Sequence, residues 1–133
     1  MALSIKEASR ACKNGARMIY VVGRESTVLG YSFSNSELVY NIAVQLLGLN
    51  FMLLQERVFK NRFGKLIYED ILHFGNNDSS AKINEMHIIE GAKNIAGKMI
   101  RSKIGTAENK NEPLLYDALG KLYKVKESEH IYG

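Results

Sequence analysis

The side chains that could carry acid–base, nucleophilic or metal chemistry are few and scattered along the chain. His87 and Glu90 are three residues apart, so in a helix they would share a face and could both bind a metal ion. No further ligand clusters with them, and a partly buried His beside a solvated Glu explains the pair equally well. Glu69 and Asp70 are adjacent and would point apart in a helix, and Cys12 has no evident partner base. We therefore predict no catalytic residue, no metal site and no cofactor, and expect a protein that is not an enzyme.

Length and composition predict one globular domain. The 133 residues are 46% hydrophobic and 24% charged, which is ordinary for a chain that buries a core. Cys12 is the only cysteine, so a disulfide framework within one chain is excluded and a reducing compartment is favoured. The N-terminus lacks the apolar run of a signal peptide. We expect a cytoplasmic protein with a single domain over 1–126 and a polar tail over 127–133.

Positive charge is concentrated in the C-terminal third of the sequence. The formal net charge is +4, yet residues 92–126 alone hold eight Lys or Arg against three acidic residues. The rest of the chain is close to neutral. A basic patch of this kind is typical of a surface that faces phosphate groups.

The basic segment is predicted to form a helix over about 84–104 and then a β-hairpin. Apolar residues recur at helical spacing, at Ile88, Ala92, Ile95 and Met99. Short polar residues precede the helix, where they can cap its free N–H groups, and Gly105 follows it. Gly120 lies between two apolar arms over 114–125, which predicts a turn between two strands.

The N-terminal half is predicted to supply a β-hairpin and the central core helix. Two β-branched and aromatic runs over 18–22 and 28–33 are typical of paired strands. Ser34 and Glu37 have the spacing of a capping box, and the uncharged run over 38–54 that follows predicts a helix apolar on nearly all sides. Such a helix lies in a core or in an oligomer interface. Polar residues interrupt it, so we expect no membrane span.

Four short segments are similar to motifs of one family of DNA-binding domains. Phe33–Glu37 followed by Leu46-Leu47 is similar to the family's helix entry, and Phe74-Gly75 to its tryptophan–glycine pair. Ile100–Gly105 is similar to the end of its recognition helix, and Gly120–Val125 to the end of its wing. The chain thus resembles the winged-helix domain of the OmpR type, especially its ToxR and CadC branch. The resemblance implies an α+β fold, a winged helix-turn-helix with an N-terminal β-hairpin, a short helix over 68–74 and a C-terminal β-hairpin wing.

The resemblance also implies a function and a set of binding residues. The chain would be a sequence-specific transcriptional regulator that places the helix over about 84–104 in the major groove of double-stranded DNA, with the wing over 114–125 on the backbone. The loop over 75–80 would contact RNA polymerase, and dimers would form on DNA. The DNA-binding residues implied in this way are Asn94, Lys98, Arg101, Lys103, Lys110, Lys121 and Lys124.

A second hypothesis needs no DNA. A small basic chain with an apolar helix over 38–54 could be a protein-binding module, such as an inhibitor, an immunity protein or a phage or plasmid accessory protein, and could form homo-oligomers through that helix. Charge reversal of Lys98 and Arg101 separates the hypotheses, because it should abolish DNA binding and leave protein binding largely intact.

Overall fold

The computed structural model describes residues 1–77, 82–106 and 112–126. The helices are α1 (Ala2–Ala11), α2 (Asn35–Tyr40), a π-helical segment that continues α2 (Asn41–Leu46), α3 (Glu85–Lys103) and α4 (Glu112–Leu122). The strands are β1 (Arg17–Gly23), β2 (Glu25–Val28), β3 (Tyr31–Ser34), β4 (Asn50–Lys60) and β5 (Leu66–Gly75). Both sheets are antiparallel, so the predicted α+β class is confirmed.

The main sheet has three strands in the order β1-β5-β4, and β2 and β3 form a separate two-stranded ribbon. Phe74 of β5 lies opposite Met18 on one side and Phe51 on the other. The register between β4 and β5 shifts between Phe51 and Leu53, which is a β-bulge. Because β5 is central, both β1 and β4 are edge strands of this sheet.

The core lies between the helices and one face of the main sheet. Phe74 is fully buried there and meets the rings of Tyr20 and Phe51 edge-on, at centroid distances of 6.1 and 6.0 Å. The alternate residues Ile19 and Val21 of β1 point to the opposite face and are each 52% exposed. The buried apolar residues of the core cluster are Ala2, Ile5, Met18, Val39, Ile42, Ala43, Leu47, Leu49, Leu72, Phe74 and Ile88.

The helix capped by Ser34 ends at Leu46, eight residues before the predicted end at position 54. Ser34 Oγ accepts a hydrogen bond from Glu37 N at 3.2 Å, so this half of the predicted capping box is confirmed. The helix then widens, and Leu47 N donates to Ile42 O at 3.0 Å, a five-residue step. Gly48 adopts φ +72°, a conformation that ends helices and suits glycine.

Three predictions for the N-terminal half are wrong. Residues 50–60 form β4, because a run that is apolar on all sides carries no period that separates helix from strand. The runs over 18–22 and 28–33 do not pair with each other, since β1 pairs with β5 and β3 pairs with β2. The predicted helix over 68–74 belongs to the central strand β5.

The predicted wing over 114–125 is also wrong, because the structure has α4 there. Pro113 lies in the first turn, where its missing N–H costs no hydrogen bond, and Leu115 is 1% exposed. Leu115 and Leu122 are seven residues apart, so they lie on the same face of a helix. α4 packs on α3, where Gly97 leaves room for Leu122. The helix predicted over 84–104 is confirmed as α3.

Candidate binding surfaces

The predicted DNA-reading residues of α3 lie together on its exposed side. Asn84 caps the helix by accepting from Met86 N at 2.8 Å. At 100° per residue, Asn94, Lys98 and Arg101 fall on one narrow stripe, and all three are exposed. Neither Lys98 nor Arg101 forms an ion pair with any residue that the structure describes, so two cations on this stripe are available to an anionic ligand.

Two members of the stripe have neighbours that limit what they can contact. Asn94 Oδ1 accepts a hydrogen bond from Tyr123 Oη at 2.8 Å, so its amide is oriented by the end of α4. Lys98 lines a shallow groove of about 190 Å³ between α3 and the α2–π helix. The other polar groups of this groove are Glu37, Asn41, Gln45 and Ser102.

The remaining predicted phosphate-binding lysines are dispersed. Lys103 Nζ lies 5.9 Å from the centroid of the Phe33 ring, and Lys121 Nζ is 3.0 Å from Asp117 Oδ2. Lys124 is exposed just beyond α4. Lys110 lies outside the described residues, as do positions 78–80 of the predicted loop and the tail over 127–133. The structure therefore does not gather these lysines into a wing.

Sequence reasoning missed the surface formed by β4. All eleven residues of this strand are exposed, and its apolar side chains include Phe51 at 43%, Leu54 at 47% and Val58 at 50%. The apolar run from 51 to 54 is the signal of this surface in the sequence, although the same run predicts a helix rather than an edge strand. An exposed, long, apolar edge strand is unusual, because it can pair with another chain.

The hydrogen bonds around β5 determine which peptide groups of β4 face outward. Arg24 N donates to Tyr68 O at 3.0 Å on the β1 side, and Asn61 N donates to Lys65 O at 2.9 Å on the β4 side. Antiparallel ladders alternate, so even-numbered residues of β5 bond toward β1 and odd-numbered residues bond toward β4.

It follows from the register between β4 and β5 that the odd-numbered residues of β4 from Leu53 to Phe59 bond to β5. The peptide groups of Leu54, Glu56, Val58 and Lys60 therefore point away from the sheet. In the described part of the chain no strand lies against this edge. These N–H and C=O groups form an open ladder of donors and acceptors.

An apolar groove runs beside the open edge. Its volume is about 220 Å³, and it lies between α2 and the inner face of β4. The rings of Tyr40 and Phe51 pack together with their centroids 5.2 Å apart and form one side of this groove. The groove is lined by Ser34, Ser36, Glu37, Tyr40, Phe51, Leu54 and Leu72.

The acidic side chains of the β4–β5 hairpin are paired within the protein. Arg24 Nη2 lies 3.0 Å from Glu56 Oε1, and its Nε lies 3.3 Å from Oδ1 of the buried Asp70. Arg57 forms an ion pair with Glu69 across the strands. Lys60, at the end of β4, forms no ion pair with a described residue, so the edge presents apolar groups, peptide groups and one cation to a neighbour.

Potential metal ligands are dispersed in the part of the chain that the structure describes. No cluster of three such residues occurs there, and His87 and Glu90 are both exposed on α3. Burial raises the pKa of Tyr20, which moves the titration of its hydroxyl further from neutral pH. Within the described ranges no helix is long and apolar enough to cross a membrane.

The chain matches no protein-family model, no curated protein and no solved structure.

Proposed function

We propose that the protein is a protein-binding module that offers the edge of β4 to an extended strand of a partner. The observation that carries this proposal is an eleven-residue edge strand whose residues are all exposed and whose outer side has an open ladder of peptide groups. Proteins normally shield such edges with charges, bulges or a covering element. Here Glu56 and Arg57 are engaged by Arg24 and Glu69, Lys60 and the bulge lie toward the two ends of the strand, and no described strand covers its centre.

The groove beside the edge gives this surface a means of selecting its partner. A strand added to β4 directs every second side chain to the face that carries Leu54. Those side chains lie above the groove between Tyr40 and Phe51. In recognition by strand addition, main-chain hydrogen bonds supply affinity and such pockets supply specificity.

Photo-crosslinking from the edge tests the proposal. Leu54 and Leu114 are both 47% exposed, but Leu114 lies on α4, so the two positions form a matched pair. With a benzophenone amino acid in place of each, we expect a protein adduct of defined mass from position 54 and none from position 114. Glu56→Pro removes one outward N–H without breaking the β5 ladder, and it should abolish the adduct. The absence of any adduct from position 54, or the same adducts from both positions, would contradict the proposal.

A second candidate function is sequence-specific DNA binding by a transcriptional regulator. It is favoured by Lys98 and Arg101, which are exposed within one turn of α3 and form no ion pair with a described residue. Lys124 adds a third exposed cation, and a contact of the loop over 75–80 with RNA polymerase would belong to this candidate. The missing wing and the orientation of Asn94 by Tyr123 make it the weaker of the two.

Titration of random duplex DNA at several salt concentrations tests this second candidate. Neutralised phosphates release counterions, so genuine binding should weaken steeply as salt increases. The double variant Lys98→Glu with Arg101→Glu should abolish it. Lys13→Glu with Arg17→Glu is a control that makes the same change of charge at two exposed positions outside α3, and it should weaken DNA binding far less. No binding at low salt would exclude this function.

A further inference from the structure

We infer that the strand that occupies the edge of β4 is β4 of a second copy of this chain, antiparallel to the first about a two-fold axis at Glu56. The inference rests on the proposed function, because it names the partner of the same edge. It turns an open edge into the centre of a continuous six-stranded sheet, with β5 and β1 on either side.

Symmetry and the hydrogen-bond alternation restrict how two copies can pair. The two-fold axis must stand perpendicular to the sheet, so each residue meets one that points to the same face. The outward peptide groups of Leu54, Glu56 and Val58 must also meet outward groups of the second copy. The central registers that satisfy both conditions have the axis at Gln55, at Glu56 or at Arg57.

Among these three registers, and within the regular part of β4 from residue 53 onward, only the one centred on Glu56 matches apolar with apolar side chains. It places Leu54 opposite Val58 of the second copy, and Leu53 opposite Phe59 of the second copy. With the axis at Gln55, Leu54 would face Glu56, and with the axis at Arg57, Leu54 would face Lys60. Direct cross-strand pairs are the unit of sheet stabilisation, so the register at Glu56 is favoured.

In this register all the outward peptide groups in the centre of β4 form hydrogen bonds with the second copy. Leu54, Glu56 and Val58 each exchange two hydrogen bonds with the opposite residue, which gives about six main-chain hydrogen bonds across the interface. The bulge between Phe51 and Leu53 ends the regular pairing on one side. The pairing therefore extends over residues 53–59 of each copy.

The charges at the axis oppose this arrangement in part. The two Glu56 carboxylates face each other, which is unfavourable for a directly opposed pair. Each carboxylate is 3.0 Å from Arg24 Nη2 of its own copy, but the same guanidinium also pairs with the buried Asp70. Arg24 therefore offsets only part of the repulsion, and the apolar cross-strand pairs must supply the remaining stabilisation. Gln55 faces Arg57 of the second copy, so this pair adds no further repulsion between like charges.

Sedimentation velocity over the micromolar range tests self-association of the full chain. We expect a monomer–dimer equilibrium for the wild type and a monomer for Leu54→Lys, which places a charge opposite Val58. Leu114→Lys introduces the same charge at an equally exposed position on α4 and should leave the equilibrium unchanged. Circular dichroism establishes that each variant is folded. A wild type that is monomeric throughout, or a dimer that persists in Leu54→Lys, overturns the inference.

Disulfide trapping tests the register. In a Cys12→Ser background, Gln55→Cys mixed with Arg57→Cys should form a linked dimer on oxidation, because these positions of two copies are a non-hydrogen-bonded pair with Cα atoms about 4.5 Å apart. Lys60→Cys is the control, since its two copies would be eight residues, or about 27 Å, apart along the strands. No linked dimer from the mixture, or a linked dimer from Lys60→Cys, would overturn the register.

The two proposals fail in distinguishable ways. A monomeric chain that still gives a Leu54 adduct with a different protein would overturn the second copy and leave the protein-binding module in place. A chain that gives no adduct from position 54 and no dimer would overturn both. An adduct with the mass of two copies of the chain supports both.

Discussion

Replacing Asn76 by Ala is expected to lower the free energy of unfolding by about 3 kcal/mol, because this side chain joins α1 to the sheet. Asn76 follows β5 and is 4% exposed. Its Nδ2 lies 3.0 Å from Ser9 O, 3.1 Å from Cys12 O and 3.0 Å from Lys13 O, which are carbonyls at the end of α1. Its Oδ1 accepts from Ser9 Oγ at 2.5 Å.

The magnitude follows from the hydrogen bonds that Ala removes. The Asn76 side chain supplies two N–H donors, which are shared among three carbonyls, and one oxygen that accepts from Ser9 Oγ. Lys13 O keeps a second donor, Ala16 N at 3.0 Å, so not every carbonyl loses its partner. A hydrogen bond contributes about 1 kcal/mol net, and the loss of two donated bonds and one accepted bond gives about 3 kcal/mol.

Urea unfolding measures this loss, and two further variants sharpen the test. Asn14→Ala, an exposed neighbour, should change stability by no more than about 0.5 kcal/mol. Asn76→Asp keeps the acceptor for Ser9 but turns a carboxylate toward three carbonyls, which raises its folded pKa above the unfolded value. Its stability should therefore be greatest below the unfolded pKa and be lost as the pH rises through the folded pKa. A loss under about 1 kcal/mol for Asn76→Ala, or an Asp variant insensitive to pH, would refute the reasoning.

Two other substitutions probe the packing of α3 and of the sheet. A Cβ at Gly91 would lie 2.4 Å from Leu46 Cδ1, so Gly91→Ala should lower the free energy of unfolding by about 1–2 kcal/mol. The nearest atoms to a Cβ at Gly97 are 3.5 Å away, so the added methyl group fits there. Gly97→Ala should therefore raise the free energy of unfolding by up to about 1 kcal/mol, because Ala favours a helix more than Gly does. Thermal unfolding measures both, and the opposite order would contradict the packing. Gln55→Leu removes the partner of His73 Nε2, which is 2.7 Å away, and should cost about 1–2 kcal/mol in urea unfolding. An unchanged midpoint would show that His73 does not depend on Gln55.

The helix α3 was predictable because its local signals agree with its packing. Apolar residues at helical spacing end up facing α1 and the π-helical segment, and Ile88 is fully buried. The prediction of 84–104 therefore differs from the observed Glu85–Lys103 by one residue at each end. The side chain of Asn84 caps this helix by accepting from Met86 N, whereas the short polar residues at 78–80 lie outside the described residues.

The other elements depend on contacts that a single sequence does not display. The apolar residues on either side of Gly120 fit the sequence pattern of a hairpin and also that of a helix. The helix forms because it buries Leu115 against α3. The apolar run over 38–54 contains the end of a helix and the start of a strand. The residues after Gly48 form a strand because they pair with β5. That pairing also exposes the apolar residues of β4, so the run was correctly singled out for its composition and wrongly assigned a conformation.

The basic stripe of α3 and the edge of β4 both lie beside α2. One experiment can therefore test whether DNA binding by the stripe depends on pairing through the edge. Glu37 lines both the polar groove beside Lys98 and the apolar groove beside Leu54. A dimer through β4 would carry two copies of α3, and dimeric DNA-binding proteins read paired half-sites with both recognition helices. If the dimer binds DNA, Leu54→Lys should weaken DNA binding although it adds positive charge, because it separates the copies. If the basic stripe acts in a monomer, the added cation should leave DNA affinity unchanged or raise it slightly, and the salt titration described above distinguishes these outcomes.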